Sequence, residues 1–552
     1  TAQPNRKLNS LSSNIKCGNS LIDDEEISKI SFDWIKQFPK VFEKGGFDVV
    51  IGNPPYLRVQ GLRDNFLKES KYFETIYNST TGRFDIYVLF IEKSTKLINS
   101  NGIVSFILPH KFLISDFGIG IRKYLSEFKL VNTLIHFGSE KVFEDASTYT
   151  CIINLSKSND SINFKKINPI NLFTQFDFEK ISYSNLSSSE WNLKTNEIES
   201  VFKKINGFTL KLKDIFKNIS RGIVTGSDDI FVLNGKIKGD TFYGFSKELN
   251  SEIEIESSIV KPFLMGNSSS RYSNPKNELF IIYPHKLEGK TIPYEEKELE
   301  HQFPKTYNYL LNFKEKLTNK KIKYKTNVNY WYGLHNSRDI NLFESRKIIT
   351  PYMVNKGEMC IDFTDGFYTN DKCSILKLND EIKISYEFLI GILNSKLMWF
   401  FISNTSSEYS GGYFVYTNSY LEPFPIPIIN PNNQKPLIEK TNLILSLNKE
   451  LHNQSDKFQR TLQRKFEIDK LSKKLQDWYE LTFENLIKEL KKKKVKLSLS
   501  EESEWEDFFT QESKKVLELK SSIEKTDKEI DKMVYQLYNL TDDEIEIIES
   551  SN

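Results

Sequence analysis

Four consecutive residues have types and spacing that could do chemistry, and they are Asn53, Pro54, Pro55 and Tyr56. Proline has no N–H, fixes its own φ and pushes the preceding residue out of the helical region, so two prolines in succession make a stiff loop. The Asn53 side-chain oxygen and the Pro54 carbonyl are then two acceptors at a fixed spacing, and Tyr56 adds a flat π-face. A planar ring with an exocyclic NH₂ group, such as adenine, fits these three groups.

Acceptors that bind both hydrogens of such an amine would change its reactivity. The lone pair of the adenine amine is delocalised into the ring, which makes the nitrogen a poor nucleophile. Two hydrogen bonds favour a pyramidal nitrogen and aim its lone pair at an electrophile. This orientation lowers the barrier to reaction, and preorganised polar groups lower it further. The spacing resembles the signature of amino-group methyltransferases that use S-adenosylmethionine. The alternative is a Pro-Pro turn that only ends a core strand.

The elements around this loop indicate an α/β fold. The apolar run Phe47–Ile51 predicts a buried strand that ends at the loop, and in open α/β sheets ligands bind at the carboxyl ends of strands. The same reasoning predicts helices over Asp85–Ile98 and Asp116–Phe128 and strands over Gly102–Leu108, Leu130–Ile135 and Tyr149–Leu155. Alternation of this kind predicts a largely parallel sheet with helices on both faces.

Length and composition exclude several classes of protein. A chain of 552 residues has room for about three domains. A net charge of +2 argues neither for nor against nucleic acid, so any basic surface must be local. The four cysteines lack CxxC spacing and the six histidines lie apart, which favours reduced thiols in a cytosol over disulfides or zinc. No run of 18 apolar residues and no signal peptide is present.

Four further motifs accompany the loop, namely Lys16–Leu21, Gly82–Lys93, Ile107–Phe112 and Val142–Thr150. Together with Asn53–Tyr56 they resemble the second half of a gamma-class N6-adenine DNA methyltransferase, of the kind found in the large single-chain enzymes of type IIG restriction–modification systems. The resemblance is carried by residues 14–156 and runs on to the C-terminus. It implies S-adenosyl-L-methionine as cofactor, double-stranded DNA as partner, and the cytoplasm of a bacterial or archaeal cell.

The resemblance also implies roles for individual residues in the base site. Asn53, Pro54, Pro55 and Tyr56 would bind the target adenine, and Phe143 would stack on its other face. Core packing is the alternative for Phe143. The target adenine would have to leave the duplex to reach them.

Three more residues are implied to contact the cofactor, and these are Asn19, Ser20 and Phe90. Many relatives carry Asp at the Asn19 position, and an amide there can still accept a bond from the cofactor amine without the charge. For Phe90, packing on an amphipathic helix is the alternative. No glycine-rich cofactor turn precedes Asn53, so we expect that motif upstream of Thr1, in a longer chain. Magnesium would be needed only if an upstream nuclease domain exists.

The resemblance, together with changes in composition along the chain, implies four regions. Residues 1–160 would be the C-terminal half of a Rossmann-like α/β methyltransferase, incomplete at its N-terminus, and residues 161–206 a connector. Residues 207–430 carry short strands and many aromatics, and the resemblance implies that they form an α+β target-recognition domain. Residues 431–552 would form a C-terminal helical region.

DNA binding requires positive charge along phosphates and side chains that reach base edges. Lys321 and Lys323 lie in a lysine-rich stretch followed by aromatic residues, which suits a loop that tracks the DNA backbone. Glycines allow a close backbone approach. The candidates for DNA contact are Arg221, Arg271 and Arg338 as base readers, Lys321 and Lys323 at phosphates, and Gly411 and Gly412 at a close approach. A solvated surface is the alternative for each.

The end of the chain carries a heptad pattern. Val516, Ile523, Ile530 and Leu537 recur every seven residues, as at the a positions of a coiled coil. We expect an intramolecular helical hairpin with an earlier helix around Leu471–Leu490, and a dimerising coiled coil is the alternative. The chain would thus be a monomer or a weak dimer, with an N-terminal half possibly supplied by the full-length protein.

Two other functions fit the same residues. The loop could present an RNA base or a protein glutamine amide, which carries the same NH₂ group. Alternatively, the chain could be a DNA-recognition subunit without catalysis of its own. Cofactor binding would separate these, since a pure recognition subunit would bind DNA and no cofactor.

Overall fold

The computed structural model describes residues 14–57, 67–143, 148–191, 193, 196–266, 271–273, 275, 279–364, 366–406, 408–409, 411–428 and 430–550. These residues belong to two compact units. The first consists of Thr1–Glu199 with Glu408–Gly412, and the second of Ser200–Ser407 with Tyr413–Asn552.

A six-stranded mixed sheet forms the centre of the first unit. Its strands are β1 (Phe47–Gly52), β2 (Ile98–Pro109), β3 (Val131–His136), β4 (Thr150–Leu155), β5 (Ser161–Lys166) and β6 (Glu179–Ser182). Their spatial order is β1-β2-β4-β3-β5-β6. The pairs β1–β2 and β3–β5 are parallel, whereas β2–β4, β3–β4 and β5–β6 are antiparallel.

The prediction of a largely parallel sheet is therefore wrong. A parallel neighbour requires a crossover, usually through a helix, whereas a direct return gives an antiparallel pair. The described part of the connection between β3 and β4 contains no helix, so β4 returns beside β3 in the antiparallel sense and also pairs with β2.

Helices of the first unit pack on this sheet. They are α1 (Trp34–Gln37), α2 (Pro39–Phe42), α3 (Leu67–Ile76), α4 (Tyr87–Leu97) and α5 (Ile119–Glu127). The helices predicted over 85–98 and 116–128 are confirmed as α4 and α5. Val88, Leu89 and Ile91 of α4 are fully buried with Ile153 and Leu155 of β4 in one apolar core. Burial of each such side chain contributes about 2 kcal/mol relative to exposure.

The first strand differs from its prediction in one respect. β1 exists where it is expected, but Val49 is 61% and Ile51 80% exposed. Within the described residues β1 is an edge strand that pairs with β2 alone, so its outer side has no neighbour. The apolar run correctly predicts a strand and incorrectly predicts its burial.

The second unit contains several small sheets. The later strands of the chain are β7 (Phe216–Arg221), β8 (Val232–Lys238), β9 (Thr241–Ser246), β10 (Ser251–Glu256), β11 (Val260–Leu264), β12 (Leu279–Ile282), β13 (His285–Glu288), β14 (Lys290–Pro293), β15 (Lys347–Pro351), β16 (Met353–Val354), β17 (Cys360–Asp362), β18 (Tyr368–Thr369), β19 (Cys373–Leu378), β20 (Glu408–Tyr409, in the first unit) and β21 (Tyr413–Val415). One sheet has the order β10-β9-β8-β12-β11-β18, and another has the order β17-β15-β19-β7.

Helices accompany these sheets and then dominate the end of the chain. The later helices are α6 (Asn196–Ile205), α7 (Leu212–Ile215), α8 (Asp228–Phe231), α9 (Glu296–Gln302), α10 (Pro304–Leu311), α11 (Lys314–Lys323), α12 (Ile340–Phe343), α13 (Tyr386–Leu393), α14 (Lys396–Thr405), α15 (Asn418–Leu421), α16 (Pro431–Phe466), α17 (Lys473–Gln476), α18 (Phe483–Lys492), α19 (Leu499–Leu537) and α20 (Asp542–Ser550). The chain thus combines mixed α/β sheets with a helical C-terminal region. Among the described residues, no helix has the length and apolar character to cross a membrane.

The helical hairpin predicted at the C-terminus is present, with a different principal partner. The 39-residue α19 begins at a capping box between Ser498 and Glu501 and packs chiefly along the 36-residue α16. Residues 471–490, the expected partner, form the short helices α17 and α18. Their side chains join Phe458 of α16 and Val516 of α19 in one apolar core. The sequence predicts helix over residues 431–552, but it does not identify α16 as the partner of α19, because the apolar spacing of α16 is diluted by polar residues.

Candidate active site

The Asn-Pro-Pro-Tyr loop lies at the carboxyl end of β1. Gly52, the last residue of β1, pairs with Phe106 of β2, and the chain then leaves the sheet. Pro54 is buried, Tyr56 is half-buried, and Asn53 is exposed. The loop is fastened just beyond its end, where the Ile86 N–H donates to the Leu57 carbonyl at 2.8 Å. The loop is thus present where it is predicted, and it exposes the Asn53 side chain to solvent.

A hydrogen bond within the loop fixes the Asn53 amide. The Tyr56 hydroxyl donates to Asn53 Oδ1 at 2.6 Å and lies 3.4 Å from the Ile107 carbonyl. Burial, with a smaller contribution from the Cys151 thiol, raises the pKa of Tyr56, so the hydroxyl stays protonated at neutral pH. A carbonyl oxygen has two lone pairs and can accept a second donor. Asn53 Oδ1 is therefore held in place with one acceptor position left for a ligand.

A second tyrosine supports the first. Tyr87, at the start of α4, is fully buried and meets the Tyr56 ring edge to face, with centroids 6.5 Å apart and an interplanar angle of 79°. Phe112 and Phe117 pack edge-on against Tyr87 in turn. Contacts of this geometry restrain the plane of a ring. Sequence reasoning missed Tyr87, although it lies within the Gly82–Lys93 motif.

The topology brings other loops to the same edge of the sheet. β1 runs parallel to β2, and β2 and β3 both run antiparallel to β4, so the carboxyl ends of β1, β2 and β3 point the same way. Asn53, His110 and the segment that follows His136 therefore lie along one edge. Phe143 belongs to that segment, and its side chain is 37% exposed. Residues 144–147 lie outside the described part of the chain, and the role of Phe143 stays a prediction.

Two histidines stack at this edge. The rings of His110 and His136 are 4.1 Å apart, and the Gly138 N–H donates to His136 Nδ1 at 2.9 Å. Burial lowers the pKa of His110 to about 4, and burial followed by the nearby His110 and Lys166 lowers the pKa of His136 well below its usual range. Both rings are neutral at pH 7 and support the loop after β3. The sequence offers no signal for this pair, because the two residues lie far apart in the chain.

The residues predicted to hold the cofactor are ordered by local bonds. Asn19 Oδ1 accepts the Leu21 N–H at 3.3 Å, and the Ser20 carbonyl accepts the indole N–H of Trp34 at 3.0 Å. Asn19 and Ser20 are half-buried, and Phe90 is a half-buried side chain on the apolar core. Within the described residues, the Asn19 side-chain NH₂ group has no hydrogen-bond partner, and Phe90 is only partly covered. A polar edge and an aromatic face suit the adenine end of S-adenosylmethionine.

The structure contradicts the prediction that Arg271 reads DNA bases. Its terminal nitrogens donate to the Asp527 carboxylate and to the Asn394 carbonyl. The guanidinium also lies over the ring of Tyr272. Both ends of the guanidinium fork are thus engaged within the second unit. Arg271 fastens α19 to the sheet region, which is a structural role.

The structure contradicts the predicted phosphate contact for one of the two lysines. The stretch containing them is the helix α11 followed by buried aromatic residues, not a loop along DNA. Lys321 is 9% exposed and donates to the Leu334 carbonyl at 3.3 Å, so it cannot reach a phosphate. Lys323 is exposed at the end of α11, and its contact with DNA stays a prediction. The helical spacing places these two lysines on different faces.

The remaining candidates for DNA contact are placed on the surface. Gly411 and Gly412 adopt φ of +82° and +70°, a backbone conformation that favours glycine, and a Cβ at Gly412 would meet nothing within 4 Å. Arg221 and Arg338 are half-buried. For these four residues the predicted role is compatible with the structure and is not tested by it.

Three family models match the chain. The Eco57I restriction-modification methylase model matches residues 1–143, which include Asn53–Tyr56. The TaqI-like C-terminal specificity domain model matches residues 262–426. A domain of unknown function, DUF8810, matches residues 430–534.

Curated relatives agree with these matches. The chain is 29% identical over 491 residues to the type II restriction enzyme and methyltransferase RM.Eco57I of Escherichia coli, covering 84% of this chain and 49% of the relative. It is 28% identical over 448 residues to the putative type II restriction enzyme and methyltransferase RM.MjaORFECS2P of Methanocaldococcus jannaschii, covering 78% and 32%.

A third relative is shorter. The type II methyltransferase M.BstVI of Geobacillus stearothermophilus is 23% identical over 409 residues, covering 69% of this chain and 67% of the relative. The chain therefore spans about half or less of the length of the first two relatives and two thirds of the third. The resemblance to type II restriction–modification methyltransferases, drawn from the motifs, is confirmed.

Proposed function

We propose that this chain carries the base-binding part and the DNA-recognition part of a site-specific N6-adenine DNA methyltransferase of a restriction–modification system. The observation that carries the proposal is the Tyr56 hydroxyl bonded to Asn53 Oδ1 at 2.6 Å, on an exposed loop at the carboxyl end of β1. The methylase match over residues 1–143 and the named relatives support it. The division at residues 160, 206 and 430, the Rossmann-like classification and the gamma class belong to the same proposal.

The residues of the loop would act on a flipped adenine. Extrusion of the base from the duplex costs a few kcal/mol, which stacking in the pocket repays. Asn53 Oδ1 and the Pro54 carbonyl accept the two amine hydrogens, and Tyr56 stacks on one face of the ring. Phe143 closes on the other face. The Tyr87 and Tyr56 contacts set this geometry before the base arrives, so that little reorganisation accompanies the reaction.

The cofactor would lie next to this amine. Asn19, Ser20 and Phe90 hold its adenine end, and when bound it supplies an electrophilic methyl group on a sulfonium. Asn53 aims the amine lone pair in that direction. Because both its hydrogens are held, the amine cannot rotate away from the line of attack.

Proton removal requires no strong base among these residues. A methylated, positively charged amine is acidic and releases its proton to the acceptors or to water. Tyr56 keeps its proton, because burial raises its pKa. His110 and His136 are neutral and support the loop after β3 instead of taking the proton.

The substrate class can be tested directly with the full-length protein. Cofactor labelled in its methyl group is incubated with duplex DNA, RNA and protein, and the labelled product is hydrolysed and identified. The proposal predicts N6-methyladenine in DNA. Label in RNA, in protein glutamine or in cytosine would contradict it, and DNA binding without transfer to any substrate would indicate a recognition subunit.

A further inference from the structure

Two arginines of the second unit are held in an unusual way. Arg221 ends β7, and Arg338 lies in the loop before α12. Arg221 donates its Nε–H to the Asp371 carbonyl at 3.0 Å, and Arg338 donates its Nε–H to the Gly222 carbonyl at 2.9 Å. Within the described part of the chain, the terminal nitrogens of both side chains have no hydrogen-bond or ion-pair partner. Each guanidinium is thus held through its Nε–H, while its two terminal nitrogens remain available to a ligand.

The supports of Arg221 and Arg338 are rigid. The Arg221 guanidinium lies 4.3 Å from the centre of the Tyr352 ring. Arg338 has a left-handed backbone with φ of +61°, which costs energy for a residue with a Cβ and persists only where the surroundings impose it. Val224 and Asn336 exchange two backbone hydrogen bonds, at 3.0 and 2.9 Å, and so join the two loops.

The charges of this pair are close together and poorly compensated. Burial, and after it the nearby Arg221 charge, lowers the pKa of Arg338, while Asp371 acts in the opposite sense. Neither arginine forms an ion pair with Asp371 or with any other carboxylate in the described residues. Asp339, the next residue, uses its carboxylate to cap α12. Because Arg338 is bonded to Gly222, the residue that follows Arg221, the two guanidinium groups lie near each other, and together they suit a ligand that offers pairs of acceptors.

We propose that Arg221 and Arg338 are base-reading residues that donate to the O6 and N7 atoms of guanines in the major groove. The inference rests on the proposed function, in which the chain binds duplex DNA. A fork held at Nε has its two terminal donors in a fixed plane, and guanine O6 and N7 are the acceptor pair that matches it. Contacts to phosphate need charge without such orientation, and exposed lysines such as Lys323 and Lys372 supply it.

The recognised sequence provides the test. The full-length protein, wild type or variant, is expressed in a host without adenine methylation, and the methylated motif is read by sequencing of the modified genomic DNA. The variants are Arg221→Gln and Arg338→Asn, since asparagine tolerates a left-handed backbone. Lys236→Gln is the matched control, because Lys236 is an exposed cation of β8 in another sheet of the same unit.

Each arginine variant is expected to lose preference for one G·C pair of the motif by about 5- to 150-fold while the methylated adenine stays the same. The control keeps the wild-type motif. An unchanged motif in both variants would overturn the inference. So would weaker binding that is equal at all sequences and less dependent on salt, because that result assigns the arginines to phosphates.

Two checks keep the result interpretable. Thermal unfolding shows whether a variant is folded, and Arg221→Gln, whose backbone is ordinary, decides the question if Arg338→Asn unfolds. A wild type that leaves no methylated adenine refutes the proposed function instead. In that case selection of bound duplexes from a random pool, which needs no methyl transfer, still tests whether Arg221 selects a G·C pair.

Discussion

The base-binding loop and the arginines of the second unit are positioned in opposite ways. Asn53 and Tyr56 are three residues apart, and a bond between them at 2.6 Å sets the loop. Arg221 and Arg338 are placed by carbonyls far along the chain, Asp371 and Gly222. A site that is local in sequence can be recognised from its motif, whereas a site assembled from distant segments becomes visible only in the fold.

Arg271 shows how strongly the role of an arginine depends on the fold. In sequence it is indistinguishable from the other two, yet the structure gives both ends of its fork to Asp527 and Asn394. Arg271 differs from the other two arginines in what its terminal nitrogens contact, and both of these contacts lie more than a hundred residues away in the chain. The predictions that follow test whether the local loop and the assembled arginines behave as differently as their contacts indicate.

The largest effect is expected from the Tyr56 ring. In Tyr56→Ala both the stacking face and the hydroxyl are lost, and methylation by the full-length protein should fall by about 100-fold or more, since stacking on an aromatic contributes about 1–3 kcal/mol and orientation of the amine adds to it. Tyr56→Phe keeps the ring and frees the Asn53 amide, so a loss of about 5- to 10-fold is expected. Single-turnover rates at saturating DNA measure both. Equal losses in the two variants would show that the ring contributes nothing of its own.

The next effect concerns stability. Arg271→Ala leaves Asp527 half-buried without its partner, and the free energy of unfolding of the second unit should fall by about 2 kcal/mol, as for other hydrogen bonds to charged groups. Arg221→Ala removes one Nε–H bond to the Asp371 carbonyl and the contact with the Tyr352 ring, but it leaves no carboxylate without a partner, so the loss should be smaller, about 1 kcal/mol. Denaturant titration followed by tryptophan fluorescence compares the two. A larger loss in Arg221→Ala would reverse the assignment of roles.

The smallest effect is a dependence on pH at the histidine pair. Burial lowers the pKa of His110 from 6.5 to about 4, with Glu408 and Lys166 as the charged groups that act on it. Between these pH values the unfolded chain binds a proton that the folded chain does not, so stability falls as the pH decreases from about 6.5 to about 4. In His110→Phe, which keeps a stacked ring, the loss of unfolding free energy between pH 7 and about pH 5.5 should shrink by about 1 kcal/mol. An unchanged pH profile would show that His110 does not titrate in this range.

Sequence reasoning found the local features and missed those that depend on neighbours in space. The helices over Tyr87–Leu97 and Ile119–Glu127 and the loop at Asn53 follow from apolar spacing and proline chemistry, which act over a few residues. The direction of β4 could not be predicted, because it depends on the connection from β3, whose described part contains no helix and returns the chain antiparallel. The exposure of Ile51 depended on the position of β1 at an edge of the sheet.

The same limit applies to side chains. Lys321 belongs to a lysine-rich stretch, but the helix turns it into the protein, where it is 9% exposed. His110 and His136 look unrelated in the sequence, and the parallel course of β2 and β3 brings their rings into contact. Charge and composition therefore identify which residues could act, and only the sheet order decides which of them meet.

Asn53→Ala and Asn53→Asp in the full-length protein show whether Asn53 holds the amine of a flipped adenine. Asn53→Ala removes an acceptor, and Asn53→Asp keeps one in the same place. We expect Asn53→Ala to lower the single-turnover rate of N6-methyladenine formation by about 100-fold or more, with DNA affinity within about threefold of wild type, and Asn53→Asp to retain much more activity. Turnover by Asn53→Ala at the wild-type rate would contradict the account.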